Sequence, residues 1–124
     1  MNNKINILLS VLVGIIVIIF LFTEKEKTVG NMNNNIKEIK TSKSSFSFSG
    51  NKGDRIKVSL RTTVTHGTID FILTDSSGNV VKELDRAKAL EEFINLNLDD
   101  KYTMTAIYKE FTGKFNIKIS KNRF

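Results

Sequence analysis

The stretch RIKVSLR, residues 55–61, alternates apolar and polar side chains without a break. Ile56, Val58 and Leu60 take the even positions, and Arg, Lys, Ser and Arg take the odd ones. Successive side chains of a β-strand point to opposite faces of a sheet, so a period of two indicates a strand that buries one face. The stretch therefore predicts a half-buried strand whose cationic side chains face solvent.

The same period recurs on both sides of this stretch. The side chains predicted to face inward are Phe46 and Phe48; Ile69, Phe71 and Leu73; Ile94, Leu96 and Leu98; Tyr102, Met104, Ala106 and Tyr108; and Phe115, Ile117 and Ile119. Turns are predicted at GNKGD, DSSGN, DDK and KEFTG, the last of which includes Phe111. About seven strands at roughly ten-residue spacing predict an all-β fold, a small antiparallel β-sandwich (jelly-roll-like) or barrel, over residues 45–121.

Composition limits the kinds of site that the chain can carry. It has 124 residues, with 19 Lys and Arg against 13 Asp and Glu, and a formal net charge of +6. The absence of Cys excludes disulfide bonds and thiolate metal sites. The length predicts one domain besides any membrane segment.

An uncharged run, INILLSVLVGIIVIIFLF at residues 5–22, is followed at once by TEKEK. As a helix it would be about 27 Å long, close to the roughly 30 Å of a bilayer core. The run is longer than the apolar region of a signal peptide, and no Ala-x-Ala-like cleavage site follows it. We predict a tail at residues 1–4 and an uncleaved transmembrane helix, a signal anchor, at residues 5–22; cleavage would give a secreted protein instead.

Two signals oppose each other on the orientation of this span. The lysines that follow it, Lys25, Lys27, Lys37 and Lys40, would keep the rest of the chain in the cytoplasm under the positive-inside rule. A short tail followed by an apolar run is, however, the layout of an export signal. Because a β-sandwich also suits an exported module, we predict a cell-membrane protein whose C-terminal domain is extracytoplasmic.

Residues 23–44 are predicted to form a flexible polar linker. The segment has few apolar residues and many Asn, Lys, Glu and Ser. Such a composition buries too little apolar surface to offset the entropy lost on ordering. Within it, NIKEIKT could form a turn of helix or a short strand.

The order of these segments resembles a known family. FSFSGNKGDRIKVSL, GTIDFILTDSSGNVV and LDDKYTMTAIYKEFTGKFNIKI resemble the bacterial pre-peptidase C-terminal domain over about residues 46–120. Asp100 and Lys101 stand where that family usually has Gly before the Tyr strand. The resemblance implies a small β-sandwich module of exported proteins with binding or accessory duties, and it implies no catalytic residues.

No residues form a recognisable catalytic set. A nucleophile–His–acid arrangement would need His66, the only His, which lies beside Gly67 in an apparent turn. Adjacent carboxylates occur at Glu91–Glu92 and Asp99–Asp100, but neighbours on a strand point to opposite faces and cannot act as an acid–base couple. We therefore predict that the protein is not an enzyme, and we predict neither a cofactor nor a small-molecule substrate.

One alternative site is a calcium site. DSSGN, residues 75–79, partly imitates a calcium loop, but Val80 and Arg86 occupy the positions where an EF-hand needs Gly and Glu. A looser site could draw on carboxylates from Asp70, Asp75, Asp99 or Asp100. The interpretation that we prefer is that these residues end strands and solvate turns, so no metal site is predicted.

The strands RIKVSLR and KFNIKIS both carry cations on their outward faces. If they are neighbours, they form a basic stripe, whose members are Arg55, Lys57, Arg61, Lys114 and Lys118. Such a stripe would attract anionic lipid or phosphate-bearing wall polymers, although lysines also protect sheet edges and maintain solubility. Nucleic acid is not predicted, because no aromatic side chains alternate with these cations for base stacking.

These observations predict a non-enzymatic, single-pass membrane protein that displays an extracytoplasmic β-sandwich as a binding or accessory module. Its partner would be an anionic envelope surface, an envelope polymer or a protein. The alternative is a structural subunit that assembles through its hydrophobic N-terminal helix, as pilin-like proteins do. Against that alternative, no Gly–Phe processing site is present, and the first Glu is Glu24.

Overall fold

The structure, a computed structural model, describes residues 26–85 and 89–122. It confirms an all-β, antiparallel fold. The strands are β1 (Glu26–Gly50), β2 (Arg55–Thr74), β3 (Val80–Asp85), β4 (Ala89–Asn95) and β5 (Asp100–Asn122). The transmembrane helix predicted for residues 5–22 lies outside the described residues. Within residues 26–85 and 89–122, no helix has the length and hydropathy that a membrane span requires.

Three long strands form the centre of the sheet. β5 pairs antiparallel with β1 on one side and with β2 on the other. The first part of β2, Arg55–Arg61, pairs with β4, whereas its last part, Asp70–Thr74, pairs with β3. The long strands bend in their middles, so they belong to two layers. Layer 1 contains residues 26–36, 113–122, 55–64 and β4, and layer 2 contains residues 42–50, 100–108, 68–74 and β3.

The bends of the three long strands meet at one corner. The pairing registers shift there, at residues 36–42 of β1 and residues 64–68 of β2. Glu110 of β5 has a positive φ of 46°; its N–H donates to Thr41 Oγ1 (2.8 Å), and its carbonyl lies 2.9 Å from His66 Nδ1. Gly67 also has positive φ (75°), and a Cβ there would lie 2.2 Å from the Glu110 carbonyl oxygen. The corner therefore requires glycine at position 67.

The core lies between the two layers. Phe71 of layer 2 contacts Phe115 of layer 1, with ring centroids 5.9 Å apart. A Cβ on Gly30 of layer 1 would meet the ring of Phe46 in layer 2. On the open side of the sandwich, the Lys82–Glu92 ion pair (2.7 Å) joins β3 to β4. The layers thus close on each other through aromatic contacts inside and a charge pair at the rim.

Most of the predicted inward residues are buried. They are Phe48, Ile56, Val58, Leu60, Ile69, Phe71, Leu73, Leu96, Tyr102, Met104, Ala106, Tyr108, Phe115, Ile117 and Ile119. Phe46 and Ile94 are half-buried and contact this core. Leu98 was predicted inward and is 54% exposed, because β4 ends at Asn95 and the chain beyond it is no longer a strand.

The prediction of about seven strands is wrong for the described residues, which form five. KEFTG was predicted to be a turn, but β5 continues through it at the corner. Phe111 is fully buried there, with its ring centroid 6.0 Å from that of Tyr108. The positive φ of Glu110 shifts the alternation by one residue, and this returns Phe111 to the core.

The linker predicted over residues 23–44 is also wrong from Glu26 onward. β1 begins there and pairs with β5 along its length. Val29 and Met32 contact the core, and Ile36 is buried within it. β5 supplies the backbone hydrogen bonds that order this segment, an ordering that its own composition does not predict. The described part of the predicted linker therefore belongs to the sandwich.

Candidate functional site

The two predicted basic strands are neighbours, as the basic stripe required. In the β2–β5 register, Ser59 faces Lys118, Arg61 faces Asn116, and Thr63 faces Lys114. The first part of β1 continues these rows on the other side of β5. Asn31, Asn33 and Asn35 face Lys118, Asn116 and Lys114 respectively.

These nine residues form three rows of three on the outer face of layer 1, and we call them the polar grid. Its members are Asn31, Asn33, Asn35, Ser59, Arg61, Thr63, Lys114, Asn116 and Lys118. All are exposed except Ser59, which is half-buried. The grid contains three cations, four amides and two hydroxyl groups, and it contains no carboxylate and no apolar side chain.

Within the described part of the chain, the three grid cations form no ion pair. Among the same residues, no side-chain hydrogen bond joins two members of the grid. The donors and acceptors of the grid are therefore open to a ligand.

The other two predicted cations are engaged within the protein. Arg55 lies over the ring of Phe93, 4.3 Å from its centroid, and Phe93 is itself 46% exposed. Lys57 pairs with Glu91 of β4, with Nζ and Oε1 separated by 3.0 Å. Both residues lie next to the grid, but β4 supplies each of them with a partner. Of the five predicted cations, Arg61, Lys114 and Lys118 are those that belong to the grid.

A shallow depression of about 570 Å³ covers one end of the grid. Arg61, Lys114 and Asn116 line it together with Asn33 and Asn35. Phe115 lies at its floor but is only 2% exposed, so it offers no aromatic surface for stacking. The depression can bind polar and anionic groups, and it does not resemble an enclosed apolar pocket.

The outer face of layer 2 is built from the same three long strands but has different chemistry. Ser45 faces Thr105, and Ser47 faces Thr103, which in turn faces Thr74. We call these five residues the hydroxyl face. The Ser47 and Thr103 hydroxyl groups are hydrogen-bonded to each other at 2.9 Å.

Three of the carboxylates considered for calcium, Asp75, Asp99 and Asp100, instead accept hydrogen bonds that hold turns in place, whereas Asp70 lies within β2. Asp75 accepts hydrogen bonds from the N–H groups of Ser77 (3.0 Å) and Asn79 (2.9 Å), which is the Asx-type bonding of a turn. The Ser76 hydroxyl, together with backbone N–H donors, lowers the pKa of Asp100. Within residues 26–85 and 89–122, no three His, Asp or Glu side chains converge as a metal site would require.

Asp54 has a partner of its own at the same end of the sandwich. Its carboxylate lies 2.6 Å from Lys121 Nζ and also accepts the Asn51 N–H at 2.7 Å. The hydrogen bond from Lys121 lowers the pKa of Asp54, and the Asn51 bond acts in the same direction. This pair joins the β1–β2 turn to β5.

The remaining predicted groups do not assemble into a catalytic set. His66 is exposed, and its Nδ1 is used at the corner. Glu91 and Glu92 have different partners, Lys57 and Lys82, as adjacent residues on a strand should. Sequence reasoning missed the three Asn residues of β1, although NMNNN already placed Asn at alternate positions around Met32.

The fold is similar to that of the pre-peptidase C-terminal domain of a collagenase from Bacillus anthracis. The two are 12% identical with a TM-score of 0.56, over 73% of this chain and 88% of that chain. The resemblance predicted from the sequence is thus confirmed at the level of the fold. No protein-family profile matches the chain, and no curated protein matches its sequence.

Two further solved structures match at lower TM-scores. PliG from Salmonella Typhimurium, a periplasmic inhibitor of g-type lysozyme, is 15% identical (TM-score 0.47; 81% of this chain and 87% of that chain). The C-terminal CBM6 module of LamC, a marine laminarinase from Zobellia galactanivorans, is 11% identical (TM-score 0.47; 79% and 98%).

Proposed function

We propose that this protein is a non-enzymatic, single-pass membrane protein that displays its β-sandwich outside the cell and binds an anionic surface of the cell envelope. One observation carries the binding role: Arg61, Lys114 and Lys118 lie together on exposed neighbouring strands, and none of them has a carboxylate partner among the described residues. Unpaired surface cations attract anionic partners over about a Debye length.

The fold supports a binding role over an enzymatic one. It is similar to that of the pre-peptidase C-terminal domain of a collagenase. Asp75, Asp99 and Asp100 accept hydrogen bonds from turn N–H groups, and His66 Nδ1 lies within hydrogen-bond distance of the Glu110 carbonyl at the corner. A module that presents a polar face on a rigid sheet needs none of these groups for chemistry.

The membrane part of the proposal is supported by the sequence. The uncharged run at residues 5–22 has the length of a span, and β1 begins at Glu26. Such a short connection would hold the sandwich close to the membrane, where an envelope polymer or surface is within reach.

The chain has no Cys, so single Cys substitutions can report its orientation. We expect Ser45→Cys, at an exposed position of β1, to react with a membrane-impermeant maleimide on intact cells. Asn3→Cys in the predicted tail should react only after lysis. The reverse pattern would overturn the proposed orientation, and a mature protein that lacks residues 1–22 by mass spectrometry would overturn the anchor.

The binding role can be tested with the full chain in nanodiscs of uncharged lipid. We expect it to bind vesicles that contain an anionic phospholipid, or an anionic wall polymer, more tightly than their neutral equivalents. The variant Arg61→Gln/Lys114→Gln/Lys118→Gln should lose this binding. The control, Lys43→Gln/Lys101→Gln/Lys109→Gln, removes the same charge from exposed positions outside the grid. Equal losses in both variants would show that net charge alone is responsible.

A further inference from the structure

We propose that the polar grid binds a hydroxylated polyanion, a chain of polyol or sugar units joined by phosphodiester groups. This inference rests on the proposed function and specifies the ligand of the same face. It follows from three properties of the grid: the placement of its cations, the chemistry of its amides and the shape of the surface.

The cations are spaced along the strands as a repeating anion would require. Lys114 and Lys118 are separated by four residues of β5, about 13 Å, and Arg61 lies on β2 diagonally between them, about 7–8 Å from each. A chain with successive phosphates along β5 gives each lysine a phosphate of its own, whereas a single oxyanion would require both flexible lysine side chains to lean toward the middle of the row. The planar guanidinium of Arg61 can hold one phosphate through two parallel hydrogen bonds.

The amides indicate that the ligand carries hydroxyl groups as well. Asn31, Asn33 and Asn35 flank the β5 row on one side, and Asn116 lies between the two lysines. An Asn side chain both donates and accepts hydrogen bonds, but a phosphodiester oxygen only accepts. A ligand made of phosphate alone would use the amide N–H groups and leave the amide carbonyls to water, whereas a polyol or sugar hydroxyl group can pair with both.

The shape of the surface favours a polymer over a lipid headgroup. The depression is open and shallow, so an extended chain can lie along it. The large exposed apolar side chains of the described residues are Ile39, Val64, Val80, Phe93 and Leu98, and none belongs to the grid. Because a surface that enters a bilayer needs apolar contacts, the grid is suited to a water-soluble chain.

The test uses the full chain in nanodiscs of uncharged lipid and three probes: poly(glycerol phosphate), linear polyphosphate of similar charge, and neutral dextran. We expect poly(glycerol phosphate) to bind most tightly, with an affinity that falls as salt rises. The triple Gln variant of Arg61, Lys114 and Lys118 should weaken this binding at least tenfold. Asn33→Ala/Asn35→Ala/Asn116→Ala should weaken it about fivefold and leave polyphosphate binding unchanged.

The outcomes separate this inference from the proposed function. If poly(glycerol phosphate) and polyphosphate bind equally and the Asn variant changes neither, the hydroxyl part of the inference is wrong, although binding to anions stands. If only anionic vesicles bind, the ligand is a lipid surface and the polymer is excluded. If no anionic probe binds, both proposals fail. Circular dichroism and urea unfolding of each variant exclude loss of fold as the cause of lost binding.

Discussion

The polar grid and the hydroxyl face are built from the same three strands but differ in how their side chains are used. On the hydroxyl face, Thr74, Thr103 and Thr105 are half-buried, and Thr103 is hydrogen-bonded to Ser47. On the grid, Arg61 and Lys114 extend into solvent, and no side-chain hydrogen bond joins two members among the described residues. The hydroxyl face thus contains a side-chain hydrogen bond between two of its members, whereas the described residues show none within the grid.

The Asn residues of the grid have a lower β-strand propensity than the Thr residues of the hydroxyl face. Thr is enriched in β-strands because its branched side chain covers the pleated surface, whereas Asn is depleted there. The grid nevertheless places Asn at three alternate positions of β1. Residues of low strand propensity are expected where a surface serves binding, so the contrast supports the proposal that the grid is the binding face.

The largest effect should come from breaking the core that both faces share. Phe115 contacts the rings of Phe71, Tyr108 and Phe111 across the two layers. We expect Phe115→Ala to lower the free energy of unfolding by about 3–5 kcal/mol, since truncation of a buried aromatic leaves a cavity. Urea unfolding should show one transition for both layers, whereas Phe93→Ala, at a half-exposed ring, should cost much less. Two separate transitions would contradict a shared core.

The corner that carries the strands from one face to the other should be the next most sensitive point. Gly67→Ala places a Cβ against the Glu110 carbonyl at positive φ, and we expect a loss of about 2 kcal/mol or more. Gly53→Ala is the matched control, because Gly53 also has positive φ (88°) but nothing lies within 4 Å of its Cβ position. It should cost about 1 kcal/mol. Equal thermal midpoints for the two variants would disprove the steric account of the corner.

Giving the hydroxyl face the residue type of the grid should destabilise it moderately. Thr103→Asn/Thr105→Asn replaces two strand-favouring residues and removes the Thr103 hydroxyl group that is hydrogen-bonded to Ser47. We expect a loss of about 1–2 kcal/mol in chemical denaturation. Unchanged stability would show that residue type on this face is unimportant.

The reciprocal exchange should stabilise the protein and impair binding. Asn33→Thr/Asn35→Thr raises the strand propensity of β1 at two exposed positions. We expect a gain of up to about 1 kcal/mol in unfolding, with weaker binding of poly(glycerol phosphate). If stability rises while affinity is unchanged, the amides have no role in recognition.

The smallest effect should be a pH dependence away from both faces. The hydrogen bond from Lys121 lowers the pKa of Asp54 in the folded state, so its stabilisation is present above the unfolded pKa near 4 and is lost as pH falls through the lower folded value. Asp54→Asn should lower the free energy of unfolding by about 0.5 kcal/mol at pH 7. The difference in stability between this variant and the natural chain should disappear below pH 4. A difference that stays constant down to pH 2 would contradict this linkage, and Glu38→Gln serves as the control.

The sequence predicted the core well, because an inward residue at every second position is a local property of a strand. RIKVSLR and YTMTAIY bury the side chains that their alternation indicated. The corner could not be predicted in this way, since KEFTG looks the same whether the chain reverses there or bulges and continues. Only the register of β5 against β1 and β2 distinguishes the two cases.

Only part of the site was predicted, because some of its features depend on which strands are neighbours. Exposure of Arg61, Lys114 and Lys118 follows from alternation within their own strands. The pairing of Lys57 with Glu91 depends on β4 lying beside β2, which is a long-range property. The Asn residues of β1 were assigned to a linker because their strand exists only through its pairing with β5, so a third of the grid could not be predicted from local sequence.

β1 lies antiparallel to β5 from Glu26, opposite Asn122, to Gly50, opposite Asp100. Hydrogen bonds of an antiparallel ladder are perpendicular to the strands, so a force applied at the amino end of β1 along its axis loads them in shear. Under such a load the bonds between β1 and the layer 1 part of β5 resist together and do not open one after another. If the domain is tethered through β1 and held by a ligand on the grid, as proposed, it should therefore have high mechanical strength along the axis of β1.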